Sequence, residues 1–274
     1  MLLRLGYDII FEFAVPTPMV LLLNTSPQEA HRLLKPDFPQ SDPFVPMTEY
    51  IDGFGNRCHR LVAPKGQFRL FNDTLATDTG LPDVMVMDAP QHPVEELPDN
   101  CLQFLLGSRY CEVGELTPIA WDLFGETPPT AERVQTICDW VFSNVEFGYK
   151  YARPTKTALD VFQERRGVCR DFTHLAVTLC RCMNIPTRYC NGYMGDIGVP
   201  PDVNPMDFNA WMEVYLGGQW RMYDPRHNTP RIGRVVLARG RDAVDVAMTT
   251  AFGFNKLVKF VVITEEAAEQ EATD

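Results

Sequence analysis

An α+β fold is what this sequence predicts, with a β-sandwich-like N-terminal domain ahead of a core of helices and an antiparallel hairpin. Three observations lead there. Residues 1 to about 105 carry short apolar runs divided by Pro, Gly, Asn and Asp, the spacing of an all-β unit. From Thr130 the apolar residues recur at three and four, which is helical periodicity. Further on, Gly217-Gly218 separates two alternating segments, a two-residue hairpin signal.

The N-terminal segment Met1 to Ala14 sets Leu3, Leu5, Tyr7, Ile9, Phe11 and Phe13 against Arg4, Gly6, Asp8 and Glu12, so it reads as a first strand and not as a signal peptide. Val20 to Leu23, Arg60 to Ala63, Phe68 to Phe71 and Val84 to Met87 are the further apolar runs of this domain. A Pro-rich piece from Asp83 to Asp99 reads as a return path or linker. The region up to about Leu123 is expected to hold one short helix or turn.

Residues 106–264 are read as the core. After Pro128-Pro129 and a Thr130 cap, Val134, Ile137, Cys138, Val141 and Val145 define a first helix. A second is expected from Thr157 to about Arg165, with Gly167 supplying the left-handed position that ends it. Phe172, Leu175, Ala176, Leu179 and Met183 define a third, which begins at Cys169 and stops before Pro186. Strands follow at Arg188 to Tyr193, Ala210 to Leu216, Gln219 to Asp224, Arg234 to Ala238 and Leu257 to Thr264. The acidic tail, 265–274, is expected to be disordered.

Composition excludes several function classes. The 274 residues carry a net charge of −11, which disfavours a nucleic-acid partner because phosphate binding rests on Lys and Arg. Basic stretches such as Arg231 to Arg241 are too diluted to change that. No stretch approaches the roughly 20 apolar residues of a membrane span. The eight scattered cysteines lack the density of a disulfide scaffold, so a cytoplasmic location is expected. Most of them are expected to be buried small hydrophobes. Neither a metal nor a cofactor is called for: Cys180 and Cys182 lie mid-helix and diverge by about 200°.

Chemistry concentrates at Cys169. A thiol is a nucleophile as thiolate, and the positive end of a helix stabilises that anion. The hairpin register places Asn209, Trp211, Glu213 and Tyr215 on one face with Trp220, Met222 and Asp224, and Asn209 diagonally beside Asp224. His227, three residues past Asp224, points to the opposite face by strand parity unless Pro225 ends the strand and the chain turns it back. His174 points some 140° away from Cys169 around the helix.

Four motifs in order, Gly167-Val168-Cys169-Arg170-Asp171-Phe172, Asn184 to Tyr189 with Gly192-Tyr193, Asn209-Ala210-Trp211-Met212-Glu213-Val214 and Trp220 to Pro225, resemble the transglutaminase-like superfamily and its bacterial cysteine-protease-like members with an N-terminal β domain. The resemblance implies a papain-like transglutaminase core, its helix-borne Cys packed on an antiparallel sheet. Cys169 would be the nucleophile and Asp224 the orienting carboxylate. The base of the family stands immediately before Ala-Trp, where this chain has Asn209. A carboxamide cannot accept a proton near neutral pH, which leaves His227 as a substitute base. Gln163 stands where papain-like proteases place an oxyanion-stabilising side chain, and with Trp211 and Asp171 it is assigned to substrate binding.

The implied activity is acyl transfer from an amide or peptide bond through a Cys169 thioester, of protease, amidase or transglutaminase type, on a peptide or protein substrate. The alternative is a catalytically impaired relative that serves as a peptide- or protein-binding module, because Asn209 occupies the expected histidine position.

Overall fold

The structure, a computed structural model, describes residues 1–202 and 205–268. The N-terminal alternation forms a strand, β1 (Leu2–Phe13), whose Leu3, Leu5, Tyr7, Ile9, Phe11 and Phe13 are all buried. After it come β2 (Thr17–Leu21), β3 (Gln40–Asp42), β4 (Thr48–Ile51), β5 (Arg57–Ala63) and β6 (Gly66–Thr77). The helical part comprises α1 (Asp99–Leu102), α2 (Val113–Phe124) and α3 (Ala131–Asn144), then a two-residue strand β7 (Glu146–Phe147), α4 (Ala158–Glu164), β8 (Arg166–Gly167) and α5 (Cys169–Cys182). Last come β9 (Thr187–Tyr193), β10 (Asn209–Leu216), β11 (Gln219–Tyr223), β12 (Val235–Gly240), β13 (Thr249–Ala251) and β14 (Asn255–Ala267). No helix among the described residues is long and apolar enough to cross a membrane.

Two four-stranded sheets, ordered β14-β1-β6-β3 and β13-β2-β5-β4, face each other across an apolar core and make the sandwich. A third sheet, ordered β11-β10-β9-β12, is antiparallel throughout. Its Met212, Val214 and Leu216 pack against Phe172, Leu175, Ala176 and Leu179 of α5, and α2 and α3 close the far side of that helix. The helix that begins with Cys169 therefore lies directly on the hairpin sheet. Tyr193, Phe208, Val235 and Leu237 reach back into the sandwich core, so the third sheet region packs on the sandwich as well as on the helices.

The hairpin has the expected register, with Leu216 opposite Gln219 and Tyr215 opposite Trp220. Gly217 and Gly218 both take positive φ, 58° and 77°, as a tight turn between right-twisted strands demands. The Thr130 cap and the helix behind it form as read, and α4 carries a capping box between Thr157 and Asp160.

Four expectations are corrected. The residue in left-handed conformation after α4 is Arg165 (φ 56°) and not Gly167. Val84 to Met87 is no strand: Asp83 is tied to Arg231 and Arg234, and Met85 and Val86 lie against the helical core. The single short helix or turn expected before Leu123 is instead α1 and the 12-residue α2, whose buried Leu116, Ala120 and Phe124 are spaced by four while Gly114 and an internal Pro118 mask the pattern. Finally, the sandwich is not completed within residues 1–105. β1 pairs with β6 along one edge and needs a partner along the other, which β14 supplies, with Leu5 opposite Thr264 and Tyr7 opposite Val262. β14 continues through Glu265 and Glu266 to Ala267, and Glu265 pairs with Arg4 at 3.3 Å. The rest of the expected tail, 269–274, lies outside the described residues.

Candidate active site

Cys169 is the first residue of α5, and the chain ahead of it is held on both sides. Arg165 reverses the chain after α4, and β8 then pairs in parallel with β7, Phe147 opposite Gly167. A Cβ on Gly167 would come within 2.6 Å of the Asp171 Cβ, so only glycine lets β8 pass this close to the first turn of α5. The Asp171 carboxylate accepts the Val168 N–H at 3.0 Å and is flanked by the Arg170 guanidinium at 3.1 Å. Burial pushes the Asp171 carboxyl up, against the pull of that N–H and of Arg170. Asp171 is fully buried and caps the helix; it has no surface to offer a substrate.

Seven of the eight cysteines are buried, and Cys169 alone is partly exposed. Burial and the neighbouring Asp207 push its thiol up to about 11, while the backbone N–H groups of Arg170 and Ala210 act in the opposite sense. At rest the sulfur is a neutral thiol. Ionising it at neutral pH requires a base that takes the proton as the thiol reacts.

His227 is the imidazole that borders the same cavity as Cys169. β11 ends at Tyr223, and the Asp224 Oδ1 accepts the N–H groups of Arg226 and His227, each at 3.0 Å, while Asn228 donates to the Asp224 carbonyl. This turn, with Asn228 in left-handed conformation, folds His227 back so that its Nδ1 lies 2.9 Å from Asp224 Oδ2. Strand parity does not apply beyond Pro225. Burial alone would raise the Asp224 carboxyl, but the Arg234 guanidinium, donating to Oδ2 at 2.7 Å, and the His227 hydrogen bond outweigh it and hold the carboxyl well below the usual carboxylate range. Asp224 thus stands as a carboxylate beside the imidazole.

Asn209 and Asp224 are not paired. The Asn209 amide donates to the carbonyls of Met194 and Asp207, both at 3.2 Å, and the Asp224 oxygens are occupied by the groups just named. Trp211 is fully buried with Cys190 and Val236, so it does not contact a substrate. The Arg234 guanidinium carbon lies 5.0 Å from its ring centroid, which makes Trp211 a support for the cation that fixes Asp224. Gln163 is exposed on α4, a helix-surface side chain outside the cavities described next. His174 is buried between Tyr110 and Tyr189 and accepts the Ala243 N–H on Nε2 at 3.1 Å. Burial and the nearby Arg170 and Arg181 hold it neutral, its pKa well below the usual histidine value.

Two cavities meet at Cys169. One, of about 250 Å³, is polar, with Asp196, Asp207, Arg226 and His227 among its walls. The other, of about 330 Å³, is largely apolar and includes Val168, Tyr189, Ala210 and Ala243. Tyr149, Cys169, Asp207, Phe208 and Asn209 border both. Spacing gives no sign of Arg234, Asp207 or Tyr149 as site residues. Arg234 belongs to a basic stretch legible only as charge, Asp207 lies in an irregular segment and Tyr149 in a single 3-10 turn, Tyr149–Tyr151, and the positions of both depend on tertiary packing. Among the described residues no group of three or more His, Cys, Asp or Glu could hold a metal ion.

Residues 119–225 match the transglutaminase-like superfamily, a span that runs from α2 to the residue after Asp224. The chain carries a transglutaminase-like core. Over nearly its whole length it superimposes on a Cytophaga hutchinsonii protein described as a candidate cysteine protease, with a TM-score of 0.83 and 28% identity, covering 97% of this chain and 90% of that one. A curated Mycobacterium leprae protein, itself uncharacterised, is 33% identical over 112 residues, which is 39% of each chain. A Mycobacterium tuberculosis protein is 32% identical over 97 residues, 32% of this chain and 31% of its own. The chain thus spans well under half the length of these curated relatives. The transglutaminase-like core here is papain-like in build, with the cysteine-bearing helix packed on the antiparallel sheet.

Proposed function

We propose that this protein is a cysteine-dependent acyl-transfer enzyme acting on amide bonds of a peptide or protein, with Cys169 as nucleophile, His227 as base and Asp224 as orienting carboxylate. One observation carries the reading: His227 borders the same cavity as the only partly exposed cysteine, with its Nδ1 held by a buried carboxylate. That hydrogen bond places the Nδ1 proton toward Asp224 and leaves Nε2 as the basic nitrogen. The family membership of the core and the resemblance to the Cytophaga hutchinsonii protein support the same class.

In the first step the Cys169 thiol gives its proton to His227 Nε2 as Sγ bonds to the carbonyl carbon. The carbonyl electron pair moves onto oxygen, where backbone N–H groups at the start of α5 stabilise it. The C–N bond then breaks, and the imidazolium protonates the departing amine while Asp224 balances its charge. The thioester is next attacked by water or an amine, which gives its proton to His227 and releases the thiol. The eight cysteines, seven of them buried, suit a reducing compartment such as the cytoplasm.

Asn209 in the family's histidine position favours the reading as a binding module, and one experiment separates the two. Alkylation of Cys169 by iodoacetamide at pH 7, followed by mass spectrometry, is expected to slow at least tenfold in His227→Gln, a floor set below the general-base effects of about 10²- to 10⁴-fold on turnover. Asn209→His is expected to add nothing, because that side chain faces two carbonyls and not Asp224. If His227→Gln leaves the rate unchanged, the base assignment is lost and the binding module remains.

A further inference from the structure

The mechanism above assigns a side to each half of the substrate. His227 must protonate the leaving amine and deprotonate the incoming nucleophile, so both belong in the cavity that His227 borders. That is the polar one, with Asp196, Asp207 and Arg226. The apolar cavity opens from the same sulfur and does not include His227. It is what remains for the acyl half.

We infer that the apolar cavity is the acyl-side specificity pocket, and that it selects a large apolar side chain, aromatic or long aliphatic, on the residue whose carbonyl Cys169 attacks. This rests on the acyl-transfer reading and deepens it. At about 330 Å³ the cavity admits one such side chain, and four of its wall residues, Ala152, Ala210, Ala243 and Ala247, end at Cβ and leave the space open. Cys169 itself packs against an apolar cluster that includes Tyr189, Ala210 and Val246. A bound apolar side chain would therefore continue the packing already present around the sulfur. A charged one would lose its hydration without gaining a free partner: of the charged wall residues, Arg153 is engaged with Asp160 and Glu164 and Arg170 with Asp171, and Asp207 would repel an acidic group.

The outer wall, residues 243–248, lies beyond the span matched by the family and is built by the chain as it returns from β12 to the sandwich. It is pinned at three points. The Ala243 N–H is accepted by His174 Nε2 at 3.1 Å, the Val246 carbonyl accepts the Asn191 amide at 2.6 Å, and the Met248 carbonyl accepts the Leu22 N–H at 2.9 Å. His174 is accordingly a positioning residue for this wall. A pocket fixed in this way discriminates by shape, since its walls do not have to be ordered by the substrate.

Chloromethyl ketones of single acetylated amino acids test this on the full chain. Cys169 Sγ displaces chloride from the methylene carbon, forming a thioether, and the thiol proton passes to His227. Labelling by the Phe and Leu ketones is expected to run at least tenfold faster than by the Gly and Asp ketones. Ala247→Trp, which fills the cavity, should bring the Phe and Leu rates down to the Gly rate and leave iodoacetamide labelling of Cys169 at its wild-type rate. Ala243→Leu serves as a second filling variant should Ala247→Trp expose the buried cysteines to label. Equal rates for all four ketones in the wild type, or a filling variant that slows every reagent in proportion, would overturn the inference. Failure of the parent reading looks different: side-chain preference would survive while His227→Gln changed no rate.

Discussion

At the scale of single residues, the reactivity of Cys169 is set by competition between its surroundings. Burial is the larger cause of its raised pKa and Asp207 the next, while two backbone N–H groups oppose them. Asp207→Asn removes one negative charge and keeps the shape. The midpoint of the alkylation rate against pH should then fall below that of the wild type, whose thiol is raised by burial and by Asp207. At pH 8, well below both midpoints, this appears as a rate increase on the order of threefold or more, since one pKa unit is a factor of ten in thiolate. A profile that superimposes on the wild type would show that Asp207 is not felt at the sulfur. Cys169 and Asp224 could be singled out from the sequence because both sit at element ends with fixed spacing. The His227 geometry was hidden, because a side-chain-capped turn after Pro225 follows no period. Trp211 was legible as part of a motif, yet its burial beneath Arg234 depends on a residue more than twenty positions further along the chain.

At the scale of elements, helices were read best where the apolar spacing is uninterrupted, as in α3 and α5, and worst where Gly114 and Pro118 interrupt the pattern of α2. β3 and β4 escaped notice for another reason. They are short edge strands, and β4 is exposed throughout, so neither carries alternation. The junction of β8 with α5 shows how an element boundary becomes chemistry. Gly167 was read as the helix stop, a place that Arg165 takes, and its own role is close approach to Asp171. Gly167→Ala puts a methyl group where the Asp171 carboxylate lies, and relieving the clash must move the cap that holds Cys169. A destabilisation of about 1–3 kcal/mol is expected from overpacking of this kind. It should appear in urea unfolding together with slower alkylation of Cys169 by iodoacetamide. Unchanged stability would mean that the cap yields without cost.

At the scale of the whole molecule, a boundary near residue 105 implies two units that unfold separately, and the strand order argues otherwise. β13 and β14 close both sandwich sheets from the C-terminal end, and Tyr193, Phe208, Val235 and Leu237 lie in the same core as Leu5, Tyr7 and Phe68. Unfolding the sandwich therefore strips apolar cover from the sheet that carries the hairpin. Unfolding the core releases the chain that supplies β13 and β14. The native cysteines report on each part: Cys58, on β5, is buried where the sandwich meets Tyr189, Ala210 and Ala238 of the third sheet, and Cys138 and Cys180 are buried among the helices. Pulse alkylation along a urea series should expose all three at one midpoint, coincident with the loss of far-UV circular dichroism, as a single cooperative transition requires. Should Cys58 react at a clearly lower urea concentration than Cys138 and Cys180, the sandwich opens alone, and the wall at residues 243–248 would have to be held by the core without it.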